Sequence, residues 1–228
     1  IAVRDVRQLL LTHIHLDHAG AAGLLLRANH DIEVFVHERG ARHLIDPSKL
    51  VASATRLYGE DMDRLWGAVL PVPAARVRTL SGNERLLSAG GRELEVADTP
   101  GHASHHVSYF DRSSGIAFVG DTAGIRRGAG SYIMPPTPPP DIDLEAWRIS
   151  ADRILSWDPD TLFLTHFGPF RGARPHFQEL FERLDTWSAI VRRLLADTTI
   201  DDQERERRFV EEGRQDIRRT VGEAEAEQ

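Results

Sequence analysis

The chain of 228 residues contains no cysteine. No disulfide can therefore contribute to its stability, and cysteine usage does not indicate the redox compartment in which the protein works. The same absence restricts any metal site to histidine, aspartate, glutamate and water as ligands. A chain of this length is nevertheless large enough to form one domain with a well-buried core.

Long apolar runs and an excess of positive charge are also absent. No apolar segment approaches the roughly 20 residues that a membrane-spanning helix needs, and no basic-then-apolar secretion signal precedes the first predicted strand. The formal net charge of −7 argues against a nucleic-acid surface. We therefore expect a cytoplasmic protein with neither a nucleic-acid partner nor a membrane partner.

Side chains that can bind a metal are clustered in the segment THIHLDHAG at 12–20. An apolar run over 6–11 predicts a buried strand before it, and the run 19–28 predicts a helix after it. Strand alternation places the first two histidines of the segment on one side. Imidazole and carboxylate groups suit Zn²⁺, and also iron or manganese. Four metal-capable side chains fall within six residues of this loop: His13, His15, Asp17 and His18.

Three later segments follow predicted strands: TPGH at 99–102, GDT at 120–122 and THFG at 165–168. The Pro-Gly pair of the first makes a sharp turn that lifts His102 off its strand end. Asp121 lies just past a buried strand, where a carboxylate is costly unless it is paired or binds a metal. His166 ends the last of these strands. Each of these segments thus places a histidine or an aspartate at the end of a predicted strand.

The segment 12–20 resembles the HxHxDH signature of the metallo-β-lactamase-fold hydrolases, and the three later segments resemble that family's further motifs, in the family's order. The resemblance covers residues 6–170. It implies an α/β fold, an αββα sandwich, with a catalytic domain over 1–170 and a C-terminal helical extension over 171–228 packed on the same domain. Family members usually carry several strands before the first motif, so we expect the N-terminal strands of this fold to be missing.

The resemblance also implies two divalent metal ions, expected to be zinc, with iron or manganese as alternatives. The implied ligands are His13, His15 and His102 for the first ion, Asp17, His18 and His166 for the second, and Asp121 as a bridge between them. A metal lowers the pKa of a bound water from 15.7 toward roughly 7, so hydroxide is available near neutrality. The expected catalytic carboxylates are Asp17 and Asp121, and Asp17 is the candidate for exchanging a proton with the leaving group.

The implied reaction is hydrolysis of a small-molecule ester, thioester or lactone at its carbonyl. The chain resembles the glyoxalase II-like and lactonase-like branches rather than true β-lactamases, because several of those need a cysteine ligand and others lack an aspartate at the position of Asp121. Glyoxalase II-like enzymes usually read GHEY where this chain has THFG, and their glutathione-binding residues cannot be placed. A phosphodiesterase of the same fold and a non-hydrolytic metal-binding or redox member stay open, as does a homo-oligomer.

Substrate contacts are predicted mainly from the segment 123–140, whose glycines and prolines lie between two ligand motifs. We interpret it as a lid or pocket wall with Tyr132, Ile133 and Met134 facing substrate; Tyr132 and Met134 are the candidate substrate-binding residues. Arg126 and Arg127 either attract an anionic substrate or lie on the surface as a pair of solvated side chains.

Other aromatic and histidine residues receive structural predictions. The region 38–70 is helical in pattern, and its helices either pack on a sheet or cover one edge of the site, where Tyr58 or Trp66 would reach substrate. Structural or supporting roles are predicted for His37, His105 and His106, and surface positions for His30, His43 and His176.

Overall fold

The computed structural model describes residues 1–126 and 132–222. Its helices are α1 (Leu16–Ala19), α2 (Ala22–Ala28), α3 (Glu38–Ile45), α4 (Ser48–Tyr58), α5 (Met62–Leu65), α6 (Leu144–Ser156), α7 (Ala173–Ala196) and α8 (Asp202–Val221). Sheet A contains, in spatial order, the parallel strands β1 (Gln8–Leu10), β2 (Glu33–His37) and β3 (Val77–Leu80). Sheet B contains, also in spatial order, β4 (Arg85–Leu87), β5 (Glu93–Asp98), β6 (Val107–Asp111), β7 (Ile116–Gly120), β8 (Thr161–Leu164) and β9 (Gly168–Arg171).

Strand alternation assigns the two faces of sheet A to different cores. Val34 and Val36 of β2 are fully buried in a cluster that also contains Leu26 of α2 and Leu44 of α3. Phe35, between the two valines, packs instead with residues of sheet B. Sheet A thus lies between a helical layer and sheet B, and its central strand needs apolar side chains on both faces.

Sheet B is built in the same way on the other side of the molecule. Tyr109 of β6 belongs to the cluster between the sheets. Val119 of β7 and Leu162 of β8 face outward and pack with Trp147 of α6 and Phe177 of α7. The layers therefore run helix, sheet, sheet, helix, which confirms the predicted αββα sandwich of the α/β class.

Strand β9 was not predicted, because Gly168 and Pro169 are typical of the end of a strand rather than the start of one. It pairs antiparallel with β8 at the edge of sheet B, where a proline is tolerated. The tight reversal between β8 and β9 needs Phe167 at φ 71°, a left-handed conformation that is rare for a residue with a bulky side chain. The expected domain boundary at residue 170 falls inside β9.

The two C-terminal helices differ in their share of the core. Phe177 and Leu180 of α7 are buried against the outer face of sheet B, whereas α8 packs mainly on α7, with Trp187 and Phe209 in edge-to-face contact. No helix in the described ranges is both long and apolar enough to cross a membrane.

The surface position predicted for His176 is wrong. The side chain is only 1% exposed, and its Nε2 lies 2.7 Å from the carbonyl oxygen of Ala123, to which it donates. Its ring packs against Phe170 and Phe177. Its position at the start of α7 suggested exposure, but α7 begins against sheet B, so its first turn is already inside the core.

We expect His176 to destabilise the protein in acid. Burial, with a smaller effect from Arg126, lowers its pKa from 6.5 to about 4. Between these values the unfolded chain binds more protons, so stability is fully present above pH 6.5 and is lost as the pH falls toward 4. At pH 5 this loss amounts to about 2 kcal/mol. Urea unfolding at pH 7 and pH 5 measures it: His176→Gln should show a loss smaller by that amount, and equal losses in both proteins would contradict the prediction.

Candidate metal centre

The loop between β1 and α2 brings the first four candidate ligands together. His13 is fully buried at the end of an extended segment, and His15 is the N-cap residue of α1. Asp17 and His18 follow in the single turn of α1, so their side chains leave the backbone in a different direction from the first two histidines. His105 accepts a hydrogen bond from the backbone N–H of Ile14 at 3.4 Å, which supports the loop in the way predicted for it.

Three imidazole nitrogens from two parts of the chain converge on one point. His15 Nδ1 lies 2.9 Å from His13 Nε2 and 3.0 Å from His102 Nε2. The other ring nitrogen of His102 faces the carbonyl oxygen of Pro136 at 2.8 Å and must donate to it, which leaves the converging Nε2 with a lone pair. Thr12 Oγ1 forms a hydrogen bond of 3.1 Å with His13 Nδ1, which fixes the orientation of that ring.

A second group forms around the carboxylate of Asp17. Its Oδ2 lies 3.3 Å from His18 Nε2 and 3.4 Å from His166 Nε2. Asp121 stands between the two groups: its Oδ1 lies 3.4 Å from His18 Nε2 and 3.6 Å from His166 Nε2, whereas its Oδ2 lies 3.6 Å from His102 Nε2. Each oxygen of Asp121 therefore faces a different group of ligands, an arrangement in which one carboxylate could contact two cations.

The donor set fits two cations. Within the described residues, the ligand atoms of His13, His15 and His102 lie within 4.8 Å of one another, as do those of Asp17, His18 and His166. His18 Nε2 and Asp121 Oδ1 are buried without a hydrogen-bond partner among the described residues. Buried polar atoms without partners are rare and costly, and two ring nitrogens that meet at 3 Å repel unless one of them carries a proton. A divalent ion in each group would relieve both problems.

The local electrostatics agree with this fit. Burial, reinforced by the neighbouring histidines, lowers the pKa of His13 well below 6.5, and burial together with His102 lowers the pKa of His15 to about 3. These rings are neutral at pH 7 and ready to act as ligands. Burial also disfavours the charged form of His18, but Asp121 and Asp17 outweigh it and raise its pKa to about 9. The group around Asp121 thus favours positive charge.

His106 holds the backbone of Asp121. Its Nε2 accepts from the N–H of Asp121 at 3.3 Å, and its Nδ1 lies 2.9 Å from Thr99 Oγ1. Gly120 adopts φ 51°, and a Cβ on it would lie 2.4 Å from His106 Nε2. His106 therefore has the structural role predicted for it. His37 also has a structural role, since its Nδ1 accepts from the N–H of Arg39 at the start of α3.

We expect the glycine before His102 to be important for the stability of the fold. Gly101 has φ 134°, and an added Cβ would lie 2.3 Å from Trp147 Cβ and 2.4 Å from Trp147 Cα. Gly101→Ala should cost at least about 2–3 kcal/mol of unfolding free energy. Gly91→Ala is the matched control: Gly91 also has positive φ, but nothing lies within 4 Å of its added Cβ, so we expect a cost of about 1 kcal/mol. Urea denaturation distinguishes them; equal costs would refute the steric argument.

Two cavities adjoin the cluster. The larger, about 630 Å³, lies between the sheets, is mostly apolar, and reaches the cluster only through Asp17 and His18. The smaller, about 280 Å³, is lined by five of the candidate ligands: His15, Asp17, His102, Asp121 and His166. The smaller cavity is therefore the better candidate for the substrate site.

Neither Tyr132 nor Met134, the two predicted substrate contacts, is among the described residues that line this cavity. The hydroxyl of Tyr132 donates to Asp216 of α8 at 3.0 Å, and its ring packs under Arg183 of α7. Ile133 is buried in the core outside sheet B. Met134 pairs through its backbone with Ile125, and its side chain is 42% exposed. The glycine-rich segment around this Ile-Met pair has no regular alternation of apolar and polar residues. Its sequence therefore does not indicate which side chains face the cavity.

The segment 123–140 does form one wall of the cavity, through four other residues: Ile125, Pro136, Pro138 and Pro139. Arg126 does not line the cavity but lies 3.2 Å from Glu179 and over the ring of Phe170. Arg127 lies outside the described residues. The opposite wall is α4, including Tyr58, whose ring contacts Trp66. Sequence periodicity identified α4 but not the surface that it faces.

A family model described as the metallo-β-lactamase superfamily matches residues 1–166. The chain belongs to this superfamily. The metallo-β-lactamase fold-containing protein ST1585 of Sulfurisphaera tokodaii is 29% identical to it over 163 residues, which are 70% of this chain and 60% of that protein. The crystal structure of ST1585 superposes with a TM-score of 0.66 and 28% identity, over 79% of this chain and 69% of the other.

Two further members of the superfamily bear on chemistry. Hydroxyacylglutathione hydrolase GloC of Haemophilus influenzae is 29% identical over 117 residues, 51% of this chain and 50% of that enzyme. The structure of TTHA1623 in a di-iron-bound form gives a TM-score of 0.51 at 28% identity, over 72% of each chain. The chain spans 60% and 50% of the lengths of the two curated relatives, ST1585 and GloC.

Proposed function

We propose that this protein hydrolyses a small ester, thioester or lactone at its carbonyl carbon, at a centre of two divalent metal ions. The observation that carries the proposal is the position of Asp121, whose two carboxylate oxygens face two separate groups of ligand atoms. The identity of GloC, a hydroxyacylglutathione hydrolase, supports carbonyl chemistry. Zinc is our proposed metal, with iron as the first alternative because TTHA1623 binds two iron ions.

When bound, such ions acidify a water molecule and polarise the substrate carbonyl. The chain's own residues hold the ligand atoms in position. His13, His15 and His102 are held rigidly, because their rings are packed edge to face and two of them are oriented by Thr12 and by the carbonyl of Pro136. Asp121, which is 4% exposed, holds the second group at a fixed separation from the first. Preorganised ligands of this kind need no rearrangement during the reaction.

Asp17 is the proposed proton carrier. Its side chain is 40% exposed, compared with 5% for Asp121, so it is the carboxylate of the cluster that reaches solvent. Burial raises its pKa, but His18 and His166 outweigh that effect and lower it, so Asp17 is ionised at neutral pH. In the proposed reaction water adds to the carbonyl, the C–O or C–S bond breaks, and the alcohol or thiol leaves with a proton passed through Asp17.

A substrate screen with metal-loaded protein tests this proposal. We expect turnover of aryl esters, thioesters or lactones, and little turnover of β-lactams. Asp17→Asn should lower kcat on substrates with poor leaving groups by about 10²-fold or more, and less on activated aryl esters that need no proton. Cleavage of phosphodiesters alone would replace the carbonyl reaction by phosphoryl chemistry. No turnover of any class would favour a non-hydrolytic metal-binding or redox member.

A further inference from the structure

Helix α4 carries apolar side chains that it does not bury. None of its residues is buried, and Leu57 and Tyr58 are 63% and 37% exposed. Leu50, Ala54 and Leu57 nevertheless follow the helical spacing of an apolar face. These three residues line the smaller cavity above the metal cluster. Leu50 also packs against the core on sheet A, whereas Leu57 is largely exposed, so the C-terminal part of this apolar face is directed at the candidate substrate site.

The opposite wall matches α4 in character. It consists of Ile125 and three prolines, and the cluster ligands form the remaining boundary. Apart from those ligands, the polar side chains among the described lining residues are the hydroxyls of Ser53 and Tyr58. No lysine or arginine is among the lining residues that the structure describes. The cavity thus has one charged end, at the metal ligands, and two apolar walls.

We propose that the cleft between α4 and the wall formed by Ile125, Pro136, Pro138 and Pro139 binds the uncharged aliphatic acyl chain of the substrate, with its carbonyl at the metal cluster and Leu57 as a specificity-determining residue. This inference rests on the proposed hydrolase function. The cavity of about 280 Å³ is at the small end of ligand pockets, so the acyl group is short to medium in length. An anionic group in the cleft would meet no cation from the described lining.

The physical reason is desolvation. An aliphatic chain that enters the cleft removes its own surface, and that of Leu50, Ala54 and Leu57, from water. Each buried methylene should improve binding about fourfold. Binding energy gained at this distance from the carbonyl also orients the reacting bond. Chain length should therefore raise kcat/KM until the cleft is full.

The test uses metal-loaded protein and a series of aryl esters from acetate to octanoate. We expect kcat/KM to rise about fourfold per methylene over the first few members and then to level off. Leu57→Arg should bring the ratio of hexanoate to acetate close to one, and Ala54→Phe should move the optimum to a shorter chain. Leu195→Arg is the matched control, because Leu195 is also a helical leucine, is 64% exposed, and does not line the cavity; its ratio should stay at the wild-type value.

A binding measurement separates this inference from the proposed function. Straight-chain primary alcohols, titrated calorimetrically, should bind the wild type more tightly as they lengthen, and this dependence should vanish in Leu57→Arg but not in Leu195→Arg. If no ester is hydrolysed but longer alcohols bind more tightly to the wild type and not to Leu57→Arg, the acyl cleft is supported and the hydrolase function is refuted. If esters are hydrolysed without any chain-length preference, or both arginine variants behave alike, the acyl cleft is refuted and the hydrolase function stands.

Discussion

Replacing Asp121 with asparagine is expected to lower ester hydrolysis by about 10³-fold or more and the metal content from about two ions per chain to one or none. Asp121 is the residue whose carboxylate faces both ligand groups, His18 and His166 through Oδ1 and His102 through Oδ2. Asparagine keeps the shape but removes the charge and one of the two ligating oxygens, so neither ion keeps its full ligand set. Elemental analysis of purified protein, alongside kinetics, measures both effects.

The same substitution should destabilise the metal-free fold only moderately. Asp121 Oδ1 lies 3.4 Å from His18 Nε2, and Asp121 helps to raise the pKa of His18, so asparagine removes a favourable buried ion pair. We expect chelator-treated wild type and Asp121→Asn to differ by about 1–3 kcal/mol in unfolding free energy. A much larger difference would mean that the carboxylate is structural rather than a ligand.

Asp111→Asn provides the matched control. Asp111 is 2% exposed, accepts from Ser113, and pairs with Arg92. These hydrogen bonds hold its pKa far below the usual range, with Ser113 as the largest cause. Asp111→Asn should therefore destabilise the protein by about 1–3 kcal/mol while leaving two metal ions bound. Loss of metal in both variants would show that folding, and not ligation, controls the metal content.

Removal of the metals from wild-type protein should abolish hydrolysis and lower the melting temperature by about 5–10 °C. A ligand present at 100 times its dissociation constant stabilises the folded state by about 2.7 kcal/mol, and 1 kcal/mol shifts the melting temperature of a chain of this size by about 2–4 °C. The source of this stabilisation is the folded chain itself, which holds the ring nitrogens of His13, His15 and His102 together, whereas the unfolded chain has no preformed site.

Readdition of metal is the decisive part of this experiment. Zinc should restore both the melting temperature and activity, with a midpoint near two ions per chain. A His13→Ala, His15→Ala double variant should retain a smaller shift, from the second ligand group alone. If chelation leaves the melting temperature and the rate unchanged, with no metal detected in the untreated protein, the two-ion centre is refuted.

Much of this molecule could be predicted from the sequence. His13, His15, Asp17 and His18 occupy one short loop between two regular elements, so their proximity is a local property that spacing alone reveals. The apolar run over 6–11 similarly predicted a strand, and β1 (Gln8–Leu10) lies within it. The order of the later motifs then identified His102, Asp121 and His166 through the family resemblance.

Only the tertiary structure decided which residues surround the cluster. Periodicity reports that a helix has an apolar face but not what covers it, so α4 was recognised without showing that Leu57 faces the candidate site. Tyr132 lies near the ligand motifs in sequence, yet its hydroxyl is satisfied by Asp216, 84 residues away. His176 is buried because α7 starts against sheet B. Each of these outcomes depends on contacts between residues that are far apart in the chain. Local sequence patterns do not determine such contacts.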